Sequence, residues 1–298
     1  MKKLFKSPQE ACDALNVILD KPVPPPGGHL RLMHKNSRTH DRSVYLNVYT
    51  ENFGCVYCFR TKQKVFWNSE NNDLSSFHQT QLIESRKSNY ELMKRLLRVA
   101  TRIKAHLYLE KKCLRAYANY PLYELRRKYV EKLYSVSFMK NFQGERFILV
   151  PMQDKHGRFQ TAQLINENGD KRFLRGSTKN YFFSIGDLKN AEVIGIAEGV
   201  ATALSVSQIE VFPVVAAMSC SQFCNVVPII KATYPKAKLI VLSDIGNGEQ
   251  EARKVAFENS VHFVVPHFSK EEIEEFEQLT NNKPTDFNDY FILRGDLP

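Results

Sequence analysis

The sequence predicts a mixed α/β fold in three parts: a small β-rich N-terminal domain over 1–84, a basic helical segment over 85–140, and a parallel-sheet domain over 141–298. Three observations carry this. From residue 193 onward, short apolar strands alternate with helical stretches, the pattern of parallel βαβ units. Before Trp67, β-branched and aromatic runs are separated by polar turns, the pattern of a small antiparallel sheet. Between the two, apolar residues recur every three or four positions with Arg and Lys among them, the pattern of an amphipathic helix.

The elements follow in order. "KPVPPPGG" (21–28) suits neither helix nor central strand, so a first helix over about 8–19 ends before it. "GHLRLMHK", "SVYLNVYT", "GCVYCFRT" and "KVFW" read as strands. Leu92, Leu96, Val99, Ile103 and Leu107 form one apolar stripe, predicting a continuous helix, and "YPLYELRRKYVEKLYSV" extends the helical, basic pattern. "RFILVPMQD" and "FQTAQLINENGDKRFL" read as a hairpin with polar turns. "EVIGIAEGVATALSVSQI" reads strand, turn, helix, and "VFPVVAAM" is a buried strand. "FCNVVPIIKATY" is a helix if Pro228 lies in its first turn. "AKLIVLSD" and "VHFVVPHF" are strands, each followed by a helix, "EQEARKVAFENS" and "KEEIEEFEQL".

A chain of 298 residues with 43% apolar and 25% charged residues is that of a soluble globular protein of one to three domains. No run of 18 apolar residues occurs, so no membrane span is expected. The start, "MKKLFKSPQEACDAL", lacks the apolar stretch of a signal peptide and is not read as one. Net charge is +10, unevenly placed. Residues 1–140 carry 26 Lys and Arg against 12 Asp and Glu, and the remainder 16 against 20. A basic half beside a slightly acidic one predicts a polyanion-binding module next to a site that holds its own acids; the plainer reading is a solvated helical surface. The six cysteines form no regular disulfide framework, so a cytoplasmic protein with free thiols is expected. Cys55 and Cys58 make one CxxC, with His34 and His40 upstream. No second CxxC or CxxH completes four ligands, so the pair reads as strand core and zinc is not expected.

In open parallel sheets, sites form beyond the carboxyl ends of the strands. Glu198 follows "VIGIA" and precedes Gly199, which leaves room at the backbone for a phosphate or metal. Asp244 follows "LIVLS". Acids at the ends of neighbouring strands, about 4.8 Å apart, can share a divalent ion. Asp286 and Asp289, in "DFND", form a third acidic position, which either reaches the same crevice or only caps and anchors the C-terminal segment. In "SDIGNG" the place of a second acid after Asp244 is Gly246, and both Gly246 and Gly248 are read as offering positive φ for a sharp turn.

"IAEGVATALSV", then "VLSDIGNG" and a late "PTDFNDY", resemble a TOPRIM domain, the metal-binding fold of bacterial-type primases and topoisomerases. "HLYLEKK", "RFILVPMQDKHGRFQTAQLINENGDKRFLRGSTKN" and "GGHLRLMHK…KVFW" are similar, in order and spacing, to primases of conjugative plasmids and related mobile elements. The likeness covers most of 27–295 and is most specific from Leu149 to Leu174. It implies a TOPRIM-like fold in which Glu198 and Asp244 are catalytic, and in which Glu198, Asp244, Asp286 and Asp289 hold magnesium or manganese. It implies that Lys171, Arg172 and Arg175, with Lys179 beyond them, line the path of nucleic acid or nucleotide. The sequence departs from that pattern at Gly246, at Ser177 in place of a second glycine, and at Val200 in place of an aromatic residue. It shows neither zinc ribbon nor helicase motor.

The expected function is therefore that of a primase-like protein of a mobile element. It would synthesise short primers on single-stranded DNA from nucleoside triphosphates by metal-dependent nucleotidyl transfer, with a replicative helicase or another replication protein as partner and no membrane. Arg95, Arg98, Arg102 and Lys104 would draw in the template, and Tyr45, Tyr49, Phe66 and Trp67 would stack on its bases; each aromatic is alternatively sheet core. Two rival readings are a catalytically impaired TOPRIM-derived protein that only binds single strands, and a TOPRIM nuclease.

Overall fold

The computed structural model describes residues 4–26, 28–35, 43–69, 90–115, 120–133, 139, 141–174, 176, 178–210, 212–246 and 248–297. The chain is mixed α/β with several sheets, and it divides into two compact units, 1–81 and 82–298.

In the first unit a six-stranded sheet has the order β1-β6-β5-β4-β3-β2. Its strands are β1 (Leu4–Phe5), β2 (Val17–Ile18), β3 (His29–His34), β4 (Val44–Thr50), β5 (Phe53–Cys58) and β6 (Gln63–Asn68). The runs read from sequence as strands pair antiparallel as consecutive hairpins. The first helix, α1, is shorter than expected. It spans Pro8–Ala14 and stops where Asn16 takes φ +54°. Alternation then sorts the side chains between two faces. Leu32, Val44, Leu46, Val56, Cys58 and Trp67 pack under α1 against Ala11, Cys12 and Leu15. Cys55 lies in a separate cluster with Phe53 and Phe66, so the two cysteines of the CxxC point to opposite faces of one strand.

The second unit begins with the basic segment, which is not one helix. Residues 90–99 are helical (α2) and bury Met93 and Leu96. The chain then turns to strand at β7 (Thr101–Arg102), which pairs with β8 (Tyr123–Arg126). Val99, Thr101 and Ile103 are β-branched, and the Ile103 amide donates to the Leu122 carbonyl rather than back along a helix. Leu107, expected on the buried stripe, is exposed in α3 (Leu107–Lys111). Among the described residues of the tyrosine-rich stretch, only Arg127–Leu133 (α4) is helical. β8 continues into the hairpin β9 (Arg146–Gln153) and β10 (Phe159–Ile165), closed by β11 (Lys171–Phe173), giving the antiparallel order β11-β10-β9-β8-β7.

A second sheet of this unit has the order β12-β14-β13-β15-β16, from β12 (Phe183–Ile185), β13 (Val193–Ala197), β14 (Val214–Ala216), β15 (Lys238–Leu242) and β16 (His262–Val264). All its pairings are parallel except β12 with β14. Mutual hydrogen bonds between Gln153 and Phe182 join the two sheets. The apolar strands β13, β14 and β15 are largely buried because helices cover both faces, while β16, at the sheet edge, leaves His262 and Val264 exposed. α5 (Val200–Ile209) covers one face, with Ile148, Val150 and Met152 in the same core. α6 (Phe223–Thr233) and α7 (Glu249–Glu258) cover the other. Pro228 stands inside α6, not in its first turn. The backbone bond it cannot donate would have gone to the Cys224 carbonyl, and Cys224 is exposed, so water can donate to that carbonyl instead. α8 (Lys270–Thr280) and α9 (Phe287–Leu293) close the chain. No helix among the described residues is long and apolar enough to cross a membrane.

Candidate active site

β13 and β15 are neighbouring parallel strands with Ala197 opposite Leu242. Glu198 therefore leaves the sheet beside the segment that carries Asp244, two residues past the end of its own strand. The Ile245 amide donates to the Thr285 carbonyl at 2.8 Å, tying this turn to the residue before "DFND". That single backbone bond carries Asp286 to the crevice. Asp286 also caps α9, accepting from the Asp289 amide at 2.9 Å. Capping and approach to the strand ends, posed as alternatives in the sequence, are both present for Asp286. Asp289 is otherwise employed. It is buried, it accepts from the Thr285 amide at 2.9 Å, and Lys112 Nζ stands 3.5 Å from its Oδ1.

The electrostatics mark these carboxylates as close neighbours. Burial, then the charges of Asp286 and Glu198, push the Asp244 pKa up to about 7, against the pull of Lys171. Burial and the Asp289 charge raise Asp286, with Lys112 opposing. Burial raises Glu198 too, while the Cys220 backbone amide and Lys171 hold it down. The Lys171 ammonium is crowded by protein, and this, with Lys112 close by, lowers its pKa although the three acids favour its charge. Asp244 Oδ1 is buried and bonded to no protein group. Such an orphaned acceptor is costly unless a cation or proton meets it.

The turn after Asp244 explains its glycines differently from the sequence expectation. Gly246 has φ +113°, so any side chain there is strained although space is open around it. Gly248 has φ −91° and needs no glycine for its backbone. A Cβ there would lie 2.7 Å from Cys220 Cβ and 2.9 Å from Glu198 Oε2, so close approach fixes it. Gly199 caps α5 with open space around it.

The other expected residues distribute widely. Lys171 joins the crevice from β11. Arg172, next along the strand, lies with its guanidinium 4.7 Å from the Phe142 ring. Arg175 lies outside the described residues, and Lys179 is exposed in a turn. Arg95 and Arg98 are exposed on α2, and Lys104 is exposed beyond β7. Arg102 donates to the Tyr120 carbonyl at 2.8 Å and covers the Tyr123 ring. Trp67 is only 2% exposed and Phe66 equally so, which removes both from any stacking surface: their strand positions turn them into core. The sequence reading missed Lys112 and Cys220, and it gave Gly248 a role in backbone freedom rather than in close approach. Lys112 sits in the quoted "HLYLEKK", but no periodicity marks it; it is placed by Asn288, whose Nδ2 donates to the Lys112 carbonyl at 2.8 Å and to Ser205 Oγ at 2.9 Å. Beside the crevice lies a cavity of about 790 Å³, with Lys111, Lys112, Lys171, Lys283, Thr285 and Asp289 in its wall.

For a divalent cation the donor chemistry fits: an orphaned carboxylate oxygen, three acids whose pKa values are raised first by burial and then by neighbouring carboxylates, and oxygen ligands of the hard kind. The acids are convergent rather than closed, since among the described residues no three His, Cys, Asp or Glu side chains stand arranged to hold a metal ion.

No family model matches the chain, and no curated protein matches it. Solved structures do. The primase fragment of the bacteriophage T7 primase-helicase protein is 11% identical, with 81% of this chain and 87% of that chain covered at TM-score 0.41. The DnaG primase catalytic domain bound to ssDNA is 13% identical over 70% and 83%, at 0.44. The Aquifex aeolicus primase, with zinc-binding and RNA polymerase domains, is 14% identical over 94% and 83%, at 0.42.

Proposed function

We propose that the protein is a primase-like nucleotidyltransferase of the TOPRIM type, from a mobile element, that builds short primers on single-stranded DNA. The observation that carries this is the convergence of Glu198, Asp244 and Asp286, from three separate chain segments, on one crevice where a buried Asp244 oxygen has no partner. Glu198, Asp244 and Asp286 would hold magnesium or manganese, which when bound offsets negative charge on phosphate oxygens. Asp289 serves by holding Thr285 and Lys112. Lys171 and Lys112 place positive charge at the crevice, where the triphosphate of a nucleotide would lie with its tail toward the cationic cavity. Glu198, half-buried with a raised pKa, is placed to accept a proton from a primer hydroxyl. Positioning supplies most of the rate in such a reaction.

The test is incubation with single-stranded DNA, labelled nucleotides and Mg²⁺ or Mn²⁺. Extended products from the wild type, lost in Glu198→Gln while DNA binding stays within a few-fold, are expected; near-wild-type synthesis by that variant sinks the reading. A second reading, a catalytically impaired single-strand binder, is favoured by Gly246, whose φ of +113° leaves no second acid beside Asp244. Binding without turnover would select it, and strand cleavage would select a nuclease.

A further inference from the structure

The first unit carries a surface that the chemistry above does not use. On the face of its sheet opposite α1, register aligns four residues of four strands in one row. Arg31 pairs with Tyr45, Tyr45 with Tyr57, and Tyr57 with Lys64. The row runs cation, ring, ring, cation, at about 4.8 Å per step. The Arg31 guanidinium lies 4.5 Å from the Tyr45 ring centre and donates from Nε to the Tyr45 hydroxyl. Phe59, 54% exposed, stands edge-on to both tyrosines, with ring centres 5.5 Å and 4.7 Å away. His29 stacks on Tyr45 at 6.1 Å. Tyr45, Asn47, Cys55, Tyr57, Phe59 and Lys64 line an open cavity of about 370 Å³.

A ring cluster left at the surface needs an occupant, and charge selects among the candidates. β3, β4, β5 and β6 together contain no Asp or Glu, while Arg31 and Lys64 end the row and Arg60 and Lys62 sit in the adjoining turn. An acidic or apolar protein segment would satisfy either the cations or the rings. A single-stranded nucleic acid satisfies both, with phosphates on the cations and unpaired bases on the rings. A duplex hides its base faces and would reach only the cations.

We infer that the row Arg31–Tyr45–Tyr57–Lys64, with Phe59, is a stacking platform for about two or three bases of single-stranded nucleic acid. This rests on the reading of the protein as one that acts on single strands, but not on its chemistry. It replaces the buried Trp67 and Phe66 with Tyr45 and Tyr57, less buried residues of the same sheet.

The test measures fluorescence anisotropy of a labelled oligothymidylate with the full chain. Tyr45→Ala/Tyr57→Ala is expected to weaken binding at least tenfold, and Tyr45→Phe/Tyr57→Phe to stay within about twofold, with duplex affinity little changed in both. A loss below twofold in a double-alanine protein that melts normally overturns the platform, as does an equal loss on duplex. Should the double-alanine protein not fold, photo-crosslinking of a halouracil strand to the wild type decides. Crosslinks at Tyr45, Tyr57 or Phe59 support the platform, and crosslinks confined to residues 82–298 overturn it. Asp244→Asn separates this from the proposed function. Tyrosine-dependent binding without any synthesis by the wild type keeps the platform and loses the primase. Synthesis undiminished by the double-alanine change, with binding also undiminished, does the reverse.

Discussion

At the strand ends of the second unit, Glu198, Asp244 and Asp286 come from distant segments and repel one another inside a half-buried crevice. In the first unit, Arg31, Tyr45, Tyr57 and Lys64 come from consecutive strands of one sheet, and those strands contain no acid. The crevice is assembled where strands stop, so its geometry depends on turns and on one backbone bond from Ile245 to Thr285. The platform is assembled by register, so the alternation that buries Trp67 exposes Tyr57. The difference teaches that the crevice holds stored electrostatic cost that a ligand relieves, while the platform holds none. On the proposals above, one should respond to pH and divalent cation, the other to salt and to the shape of the bases.

The largest break in that comparison is Asp244→Asn. It should reduce primer synthesis by about a thousandfold or more, the loss of a group acting directly on transition-state charge, while single-strand binding stays within a few-fold. Nucleotide incorporation and anisotropy on one preparation check both. Wild-type synthesis by this variant would show that the crevice is not the site.

Next comes Gly248→Ala. Its methyl would crowd Cys220 and the Glu198 carboxylate, so synthesis should fall about tenfold to a hundredfold, with a melting temperature lowered by a few degrees from the overpacking. Gly246→Asp should cost about 1–3 kcal/mol of stability through its positive φ, and calorimetric Mn²⁺ titration tells whether the added acid tightens the ion.

The pH response is smaller and has a defined sign. Asp244 has an ordinary pKa of 3.8 and a folded one of about 7. Between those values the folded protein holds a proton that the unfolded chain lacks, so stability should fall as pH rises through that window. Without divalent cation the melting temperature should be a few degrees higher at pH 5.5 than at pH 7.5. Asp244→Asn should flatten the dependence. Protons and cation compete for the same oxygens, so apparent Mn²⁺ affinity should weaken as pH drops below about 7, at most tenfold per unit per proton. Thermal melts and calorimetry over pH 5.5–8 check this; a flat profile would mean that Asp244 is not the buried acid described.

The mildest effect is expected at Arg95 and Arg98, exposed on α2. Arg95→Ala/Arg98→Ala should lower single-strand affinity by a few-fold and reduce the slope of log affinity against log salt by about 0.7 for each phosphate no longer neutralised. An unchanged slope would show that these charges only solvate the helix.

Much of the crevice was legible because it lies on strong local signals. A β-branched run followed by Glu-Gly, or by Ser-Asp and a glycine turn, announces a strand end wherever it sits, and both acids fell where the runs predicted. The basic segment was misread because three-and-four spacing of Leu92, Leu96, Val99, Ile103 and Leu107 fits a helix, yet partners far along the chain, Leu122 and Tyr123, take the backbone of Ile103 and Arg102 into a sheet. Trp67 was misassigned because both faces of β6 are covered at this point: Trp67 packs with α1, and its neighbour Phe66 packs with Phe53 and Cys55 on the other face.

The sequence by itself determined the alternation of strands and helices, the identities of Glu198 and Asp244, and the segregation of positive charge toward the first 140 residues, because each is a property of neighbouring residues or of composition. The tertiary structure alone decided that Asp286 meets the strand ends while Asp289 turns to Lys112, that Gly248 exists for Cys220 and Glu198, and that Tyr57 faces outward with Arg31 and Lys64 in line. Those outcomes depend on contacts between segments far apart in the chain, and burial, repulsion and cross-strand register are set only when those segments meet.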